Sequence, residues 1–214
     1  MGPAPFLVFD LDGTISDPAV GICRSINYAL GHFGYEAISE EAVSKYIGPP
    51  LDVSFVSITG SSSRDHVGAL VSKYRERYAD VGYSENLLYT GVPEALEDLA
   101  TANIFLGLCT SKRVDFADSI LRLFGLRHHF QFLSGGEIGV LKKQQLATLL
   151  AQKTIAPESI MIGDRAVDIE SAKENGMRSI GVLWGHGSFE ELIAAGPEKL
   201  LTSTYQLAEL KNAI

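Results

Sequence analysis

Cysteine is scarce: Cys23 and Cys109 are the only 2 in 214 residues. That is too few for a disulfide framework, and the pair lacks the CxxC spacing of a structural metal or redox site. Positive charge is in deficit, with 18 Lys and Arg against 26 Asp and Glu and a formal net charge of −8. Such a balance argues against a basic face that would bind a nucleic-acid polymer. An anionic substrate needs a locally positive site, and in an acidic chain a metal ion is a natural source of that charge. Long hydrophobic runs are also missing. The apolar stretches Ile104 to Cys109 and Ile180 to Trp184 fall far short of the roughly 20 residues of a membrane helix, so no membrane association is expected. The chain reaches Asp10 after a short apolar run without a basic lead, unlike a signal peptide. A cytoplasmic location is the expectation.

What is present is a globular balance, 46% hydrophobic and 21% charged residues, in a chain long enough for one domain with an insertion. Pro5 to Asp10 reads as a buried strand running into the turn-rich Asp12-Gly13-Thr14. A helical pattern follows. Asp17 is placed to cap, Pro18 suits a first helical position, and Ile22, Ile26, Ala29, Leu30 and Phe33 share one face. A second helix is expected from Ser39 to just before Gly48-Pro49-Pro50, and a third carries Val67, Leu70, Val71, Tyr74 and Tyr78 on one stripe. After Gly91 the rhythm alternates. Strands are expected at 104–109, 130–133, 159–162 and 179–183, separated by helices that include one starting at Pro93 and one containing Leu146, Leu149 and Leu150. Alternation of this kind implies parallel strands with crossover helices. The expected fold is α/β, a doubly wound parallel sheet interrupted early by an all-helical insertion.

In open sheets of this kind ligands bind beyond the carboxyl ends of the strands, and Asp10, Thr110 and Asp164 all fall at such ends. Asp10 and Asp12 flank a strand-to-loop turn beside Gly13, which permits close backbone approach. A carboxylate needs no deprotonation at neutral pH to attack phosphorus, so Asp10 is a candidate nucleophile and Asp12 a candidate proton donor and acceptor. Asp164 and Asp168 form a second acidic cluster after another apolar strand. If a helix begins at once, their four-residue spacing puts them on one face, as oxygen ligands suited to Mg2+. Taken singly, each pair also suits turn formation or helix capping; two clusters at equivalent strand ends favour a shared site. Thr110 and Ser111 precede a helix whose amides can hold an anion. Lys142 and Lys143 precede another helix and offer a balancing cation.

In this order the signals resemble the haloacid dehalogenase superfamily: Asp10-Leu11-Asp12-Gly13-Thr14 as its first motif, Thr110 as its second, Lys142 as its third, and Gly163-Asp164 through Asp168 as its fourth. The resemblance spans essentially the whole chain. It implies Asp10 as nucleophile, Asp12 as general acid/base, Thr110, Ser111 and Lys142 as phosphate-binding groups, and Mg2+ held by Asp10, the backbone carbonyl of Asp12, and Asp164, with Asp168 supporting. Lys143 is the other choice for the motif lysine, and the segment lacks the proline that commonly follows that lysine. Core segments 1–15 and 90–214 with a cap at 16–89 are expected.

The insertion resembles the small cap of the phosphoglycolate phosphatase-like branch. Tyr46 to Leu51, Tyr74-Arg75-Glu76 and Glu85 to Gly91 are similar to bacterial 5′-nucleotidases. The implied activity is hydrolysis of a small phosphorylated metabolite, such as phosphoglycolate or a nucleoside 5′-monophosphate, by a monomer or homodimer. A phosphomutase and a non-catalytic phospho-accepting module are the alternatives. Arg24, Lys45 and Arg75 are candidate anion contacts from the cap.

Overall fold

Phe6-Leu7-Val8-Phe9 is apolar at every position, and each side chain is buried. A strand sends successive side chains to opposite faces, so a continuous apolar run demands cover on both. Leu7 and Phe9 enter one core with Leu96, Leu106, Ile120 and Ile162. Phe6 and Val8 enter another with Leu146, Met161 and Met177. The computed structural model, which describes residues 2–137 and 139–214, thus centres on this strand.

Along the chain the elements are β1 (Phe6–Phe9), β2 (Ser16–Asp17), α1 (Ala19–His32), α2 (Leu51–Thr59), α3 (Arg64–Asp80), β3 (Leu87–Leu88), α4 (Val92–Thr101), β4 (Phe105–Cys109), α5 (Val114–Leu123) and β5 (Phe130–Ser134). There follow α6 (Lys142–Ala151), β6 (Ile160–Gly163), α7 (Ala166–Glu174), β7 (Arg178–Val182), α8 (Phe189–Ala195) and β8 (Lys199–Leu201). The main sheet has strand order β5-β4-β1-β6-β7-β8, and every pairing in it is parallel. Successive strands are added on one side of β1 and then on the other, so the order reverses beside it, where an open α/β sheet leaves a crevice at its carboxyl edge.

The doubly wound sheet expected from the sequence is present, and the foreseen strands agree with the observed ones to within a residue or so. β8 is an additional strand. Between β1 and β4 three helices pack around a separate apolar cluster that includes Ile26, Leu30, Phe55, Leu70 and Tyr78. This segment is not helical throughout: β2 and β3 pair antiparallel at its two ends. The helix expected from Ser39 is absent. Those residues form turns and a short 3-10 segment, Val43–Tyr46, and the helix starts instead after Pro50, whose extended backbone at ψ 142° ends one segment and launches α2. Pro18 holds the N-cap position of α1, not its first turn, and leaves it without a side-chain cap; Asp17, one residue earlier, accepts from the Ala19 N–H at 2.9 Å through its Oδ1. Among the described residues no helix is long and apolar enough to cross a membrane.

Candidate active site

Three strand ends converge. Asp10 follows β1, Thr110 follows β4 and Asp164 follows β6, and all three are buried. The Asp10 N–H continues the ladder to the Ile162 carbonyl at 2.8 Å, which fixes where the carboxylate stands. Its Oδ1 accepts from the Leu11 N–H at 2.7 Å, and its Oδ2 lies 2.9 Å from Lys142 Nζ. Lys142, the first residue of α6, also pairs with Asp168. Lys143 points elsewhere, to Glu174 at 2.9 Å, so the ammonium inside the site belongs to Lys142.

Asp164 and Asp168 do not share a helical face, because α7 starts at Ala166 and Asp164 stands outside it. They meet because the first turn of α7 folds back. Asp168 Oδ2 accepts from the Arg165 N–H at 3.1 Å, an N-terminal capping contact, while its Oδ1 receives Lys142. Capping and site-building are therefore done by one carboxylate. Asp164 accepts from the His186 N–H at 2.8 Å and from the Thr14 hydroxyl at 3.4 Å. Gly13 makes this approach possible: at φ +81° a Cβ there would lie 2.1 Å from Asp164 Oδ2, so no side chain fits.

Carboxylate oxygens of Asp10, Asp164 and Asp168 all lie within 4.8 Å of one another. Burial, reinforced by the neighbouring carboxylates, pushes Asp164 and Asp168 above the usual carboxylate range. Burial opposes charge on Lys142 too, but Asp10 and Asp168 overcome it and hold the ammonium protonated. Three buried carboxylates against one ammonium leave negative charge uncompensated. An all-oxygen donor set of this size fits a small hard cation such as Mg2+.

The cleft above these groups is lined on the sheet side by Asp10, Asp12, Thr110 and Ser111, and on the helical side by Tyr46, Pro49, Leu51, Tyr74 and Arg75. Thr110 is held by its N–H to the Ser134 carbonyl at 3.0 Å and by the Gln145 side chain donating to its carbonyl at 3.2 Å. Of the three cap cations anticipated, only Arg75 lines the cleft. Arg24 pairs with Glu85 at 2.7 Å, and Lys45 is exposed in the 3-10 segment.

Several residues of the site escaped the sequence reading. Lys112 Nζ lies 2.8 Å from Asp12 Oδ2, and both side chains are nearly buried. The loop after β7 folds over the acidic cluster: His186 binds Asp164 as described, and Trp184 donates its indole N–H to the Thr14 carbonyl at 3.0 Å. Arg165 donates to Glu191 at 2.9 Å and to the carbonyls of Ser44 and Ile47 in the helical segment. The available signals were faint: a lysine two places after a strand-end threonine, and a histidine between glycines after an apolar strand.

The fold and this site define an α/β enzyme built around a buried carboxylate cluster at the switch point of a parallel sheet. Residues 7–182 match the family of haloacid dehalogenase-like hydrolases, and the chain belongs to it. A 5′-nucleotidase of Pseudomonas aeruginosa is 38% identical over 90% of this chain and 89% of its own length. The tyrosine-protein kinase PtkA of Mycobacterium tuberculosis is 34% identical over 100% of this chain and 74% of its own. A crystal structure of a predicted phosphatase from Clostridium acetobutylicum superposes with a TM-score of 0.91 at 31% identity, over 99% of this chain and 100% of that one. The chain is a haloacid dehalogenase-like phosphatase.

Proposed function

We propose that the chain is a Mg2+-dependent phosphomonoesterase whose covalent intermediate is an aspartyl-phosphate on Asp10, and that residues 16–89 act as its cap. In the first half-reaction a carboxylate oxygen of Asp10 attacks phosphorus. The bond from phosphorus to the ester oxygen breaks, and Asp12 donates a proton to the departing alkoxide. In the second half, Asp12 takes a proton from water as that water attacks phosphorus; the bond to Asp10 breaks and inorganic phosphate leaves. Thr110 and Ser111 bind phosphoryl oxygens, and Lys142 balances charge between Asp10 and the phosphoryl group. Mg2+, held by Asp10, the Asp12 carbonyl and Asp164 with Asp168 in support, would neutralise phosphoryl charge and orient it.

The observation that carries this reading is the placement of Asp10, buried and paired with Lys142, at the floor of a cleft beside two further carboxylates. The opposite wall, with Tyr46, Pro49, Leu51 and Tyr74, joined by Phe116 of α5, offers apolar surface to the rest of the substrate. It favours a nucleoside 5′-monophosphate over a compact ester such as phosphoglycolate, in keeping with the 5′-nucleotidase relative. The test is phosphate release from nucleoside monophosphates, phosphoglycolate and sugar phosphates, with and without Mg2+, for wild type and Asp10→Asn. Magnesium-dependent turnover that Asp10→Asn abolishes is expected. Undiminished turnover in the folded variant would remove Asp10 as nucleophile, and none on any ester in a folded, metal-loaded sample would overturn the phosphomonoesterase reading.

A further inference from the structure

Lys112 is a cation enclosed by three elements. Its backbone follows Thr110 and Ser111 beyond β4, and its side chain is only 6% exposed. Burial works against its charge, but Asp12 and Tyr78 hold the ammonium protonated. One contact goes to Asp12 Oδ2 at 2.8 Å. A second goes to the Tyr78 hydroxyl at 2.7 Å, and the ammonium also stands 4.6 Å from the centre of that ring, within cation–π range. Tyr78 belongs to α3, not to the sheet.

The contacts of Asp12 are unequal. Its Oδ2 is taken by Lys112, while its Oδ1 is buried without a hydrogen-bond partner, on a residue that lines the cleft. A buried acceptor left unpaired is costly and calls for a partner absent from the bare protein. The leaving-group oxygen and the attacking water are the groups that visit that place. On the other side of Lys112, Tyr78 is tied to the base of the helical segment: its hydroxyl accepts from Asn86 Nδ2 at 3.4 Å, and Asn86 Oδ1 accepts from the Ser16 hydroxyl at 3.1 Å. Ser16 lies in β2, and Asn86 immediately precedes β3. A continuous polar chain thus runs from the paired strands at the segment's base, through α3, to the carboxylate beside the nucleophile.

We propose that Lys112 is a positioning residue that couples seating of the helical segment, through Tyr78, to the aim of Asp12, pinning Oδ2 so that Oδ1 is presented to the leaving group. This rests on the reading of Asp12 as proton donor and acceptor. With the segment seated, Tyr78 takes one ammonium donor and covers its face, and the remaining donors hold Asp12 in one rotamer. Without that seating the ammonium is hydrated and the carboxylate is free to turn.

Proton donation matters in proportion to how poor the leaving group is, which separates aiming of Asp12 from general damage. The experiment measures kcat/KM, which reports steps through ester cleavage, for ring-substituted phenyl phosphates from p-nitrophenyl phosphate to phenyl phosphate. Wild type, Asp12→Asn, Lys112→Met, Tyr78→Phe and the Lys112→Met/Tyr78→Phe double variant are compared. Asp12→Asn is expected to steepen the dependence on leaving-group acidity. Lys112→Met should steepen it in the same sense, with phenyl phosphate losing about 100-fold, the lower range of general-acid contributions, and p-nitrophenyl phosphate far less. Tyr78→Phe, which keeps the ring, should give a smaller steepening, and the double variant no more than Lys112→Met alone. If Asp12→Asn steepens the dependence while Lys112→Met lowers all esters by one common factor, the positioning role is overturned and the reading of Asp12 stands. If Asp12→Asn leaves the slope unchanged, that reading fails and the inference falls with it. Should Lys112→Met not fold, Tyr78→Phe decides: a steeper slope supports the coupling, and a uniform loss overturns it.

Discussion

The two walls of the cleft are built on opposite principles. On the sheet side the charged side chains gathered around Asp10 are buried or nearly so, and each is tied to residues distant in sequence: Asp10 and Asp168 to Lys142, Asp164 to Thr14 and His186, Asp12 to Lys112. On the helical side Tyr74 is buried, but Tyr46, Pro49, Pro50, Leu51 and Arg75 are only partly buried and none of them is charge-paired into the cluster, and Arg24 turns away to Glu85. A buried charge held by several partners cannot move or change without leaving another unpaired. A half-exposed side chain can be exchanged at little cost to folding. Under the proposed function, reaction chemistry is concentrated in the first wall, and the partly exposed side chains of the second are the ones open to variation in substrate.

The sharpest way to break that contrast is to remove the shared cation of the first wall. Lys142→Met would leave Asp10 and Asp168 without their ammonium, and loss of one partner from a buried pair costs about 3–5 kcal/mol. Thermal or urea unfolding should show a loss of this order together with loss of turnover. A stable, active variant would mean that the carboxylates are balanced otherwise.

A second test concerns the uncompensated acidity of the same wall. Burial raises Asp164 to about 7 and Asp168 to about 6, both above the ordinary value near 3.9 of an unfolded chain. Between these values the folded, metal-free protein holds more protons than the unfolded one, so these groups lower stability as pH rises from about 4 to about 7. Ionised carboxylates are what a divalent cation needs. The rise in Tm on adding Mg2+ should therefore grow with pH across that window, as differential scanning calorimetry would show. An increment that shrinks with pH would contradict the assignment of these carboxylates to the metal.

The smallest effect is expected from the second wall. Arg75→Ala should leave kcat and Tm nearly unchanged and raise KM about tenfold for substrates long enough to reach it, the scale of one charged hydrogen bond near the cleft mouth. Equal KM changes for phosphoglycolate and nucleoside monophosphates would place Arg75 on the phosphoryl group, not on the remainder of the substrate, and blur the division between the walls.

Legibility in the sequence followed the same division. The apolar run Phe6–Phe9 ending at Asp10, and Ile160–Gly163 ending at Asp164, identify strand ends by local pattern alone. The parallel order follows from their alternation with helices. The helical segment is less legible. Gly48-Pro49-Pro50 marked a break, but the weakly patterned stretch after it became α2, whereas Ser39 to Ile47 forms turns whose carbonyls at Ser44 and Ile47 are met by Arg165 from the sheet side. A tertiary contact there decided what propensity did not.

Local sequence by itself determined five strands of the main sheet, the aspartates at their ends and the glycine that lets two loops touch, because period, burial and turn chemistry are properties of neighbouring residues; it did not determine β2, β3 or β8. Only the tertiary structure decided which cation serves which carboxylate. Lys142 and not Lys143 enters the cluster, Lys112 meets Asp12, and His186 closes over Asp164. Those choices join residues across the whole chain, and they depend on which side chains the packed strands and helices leave facing the same buried space.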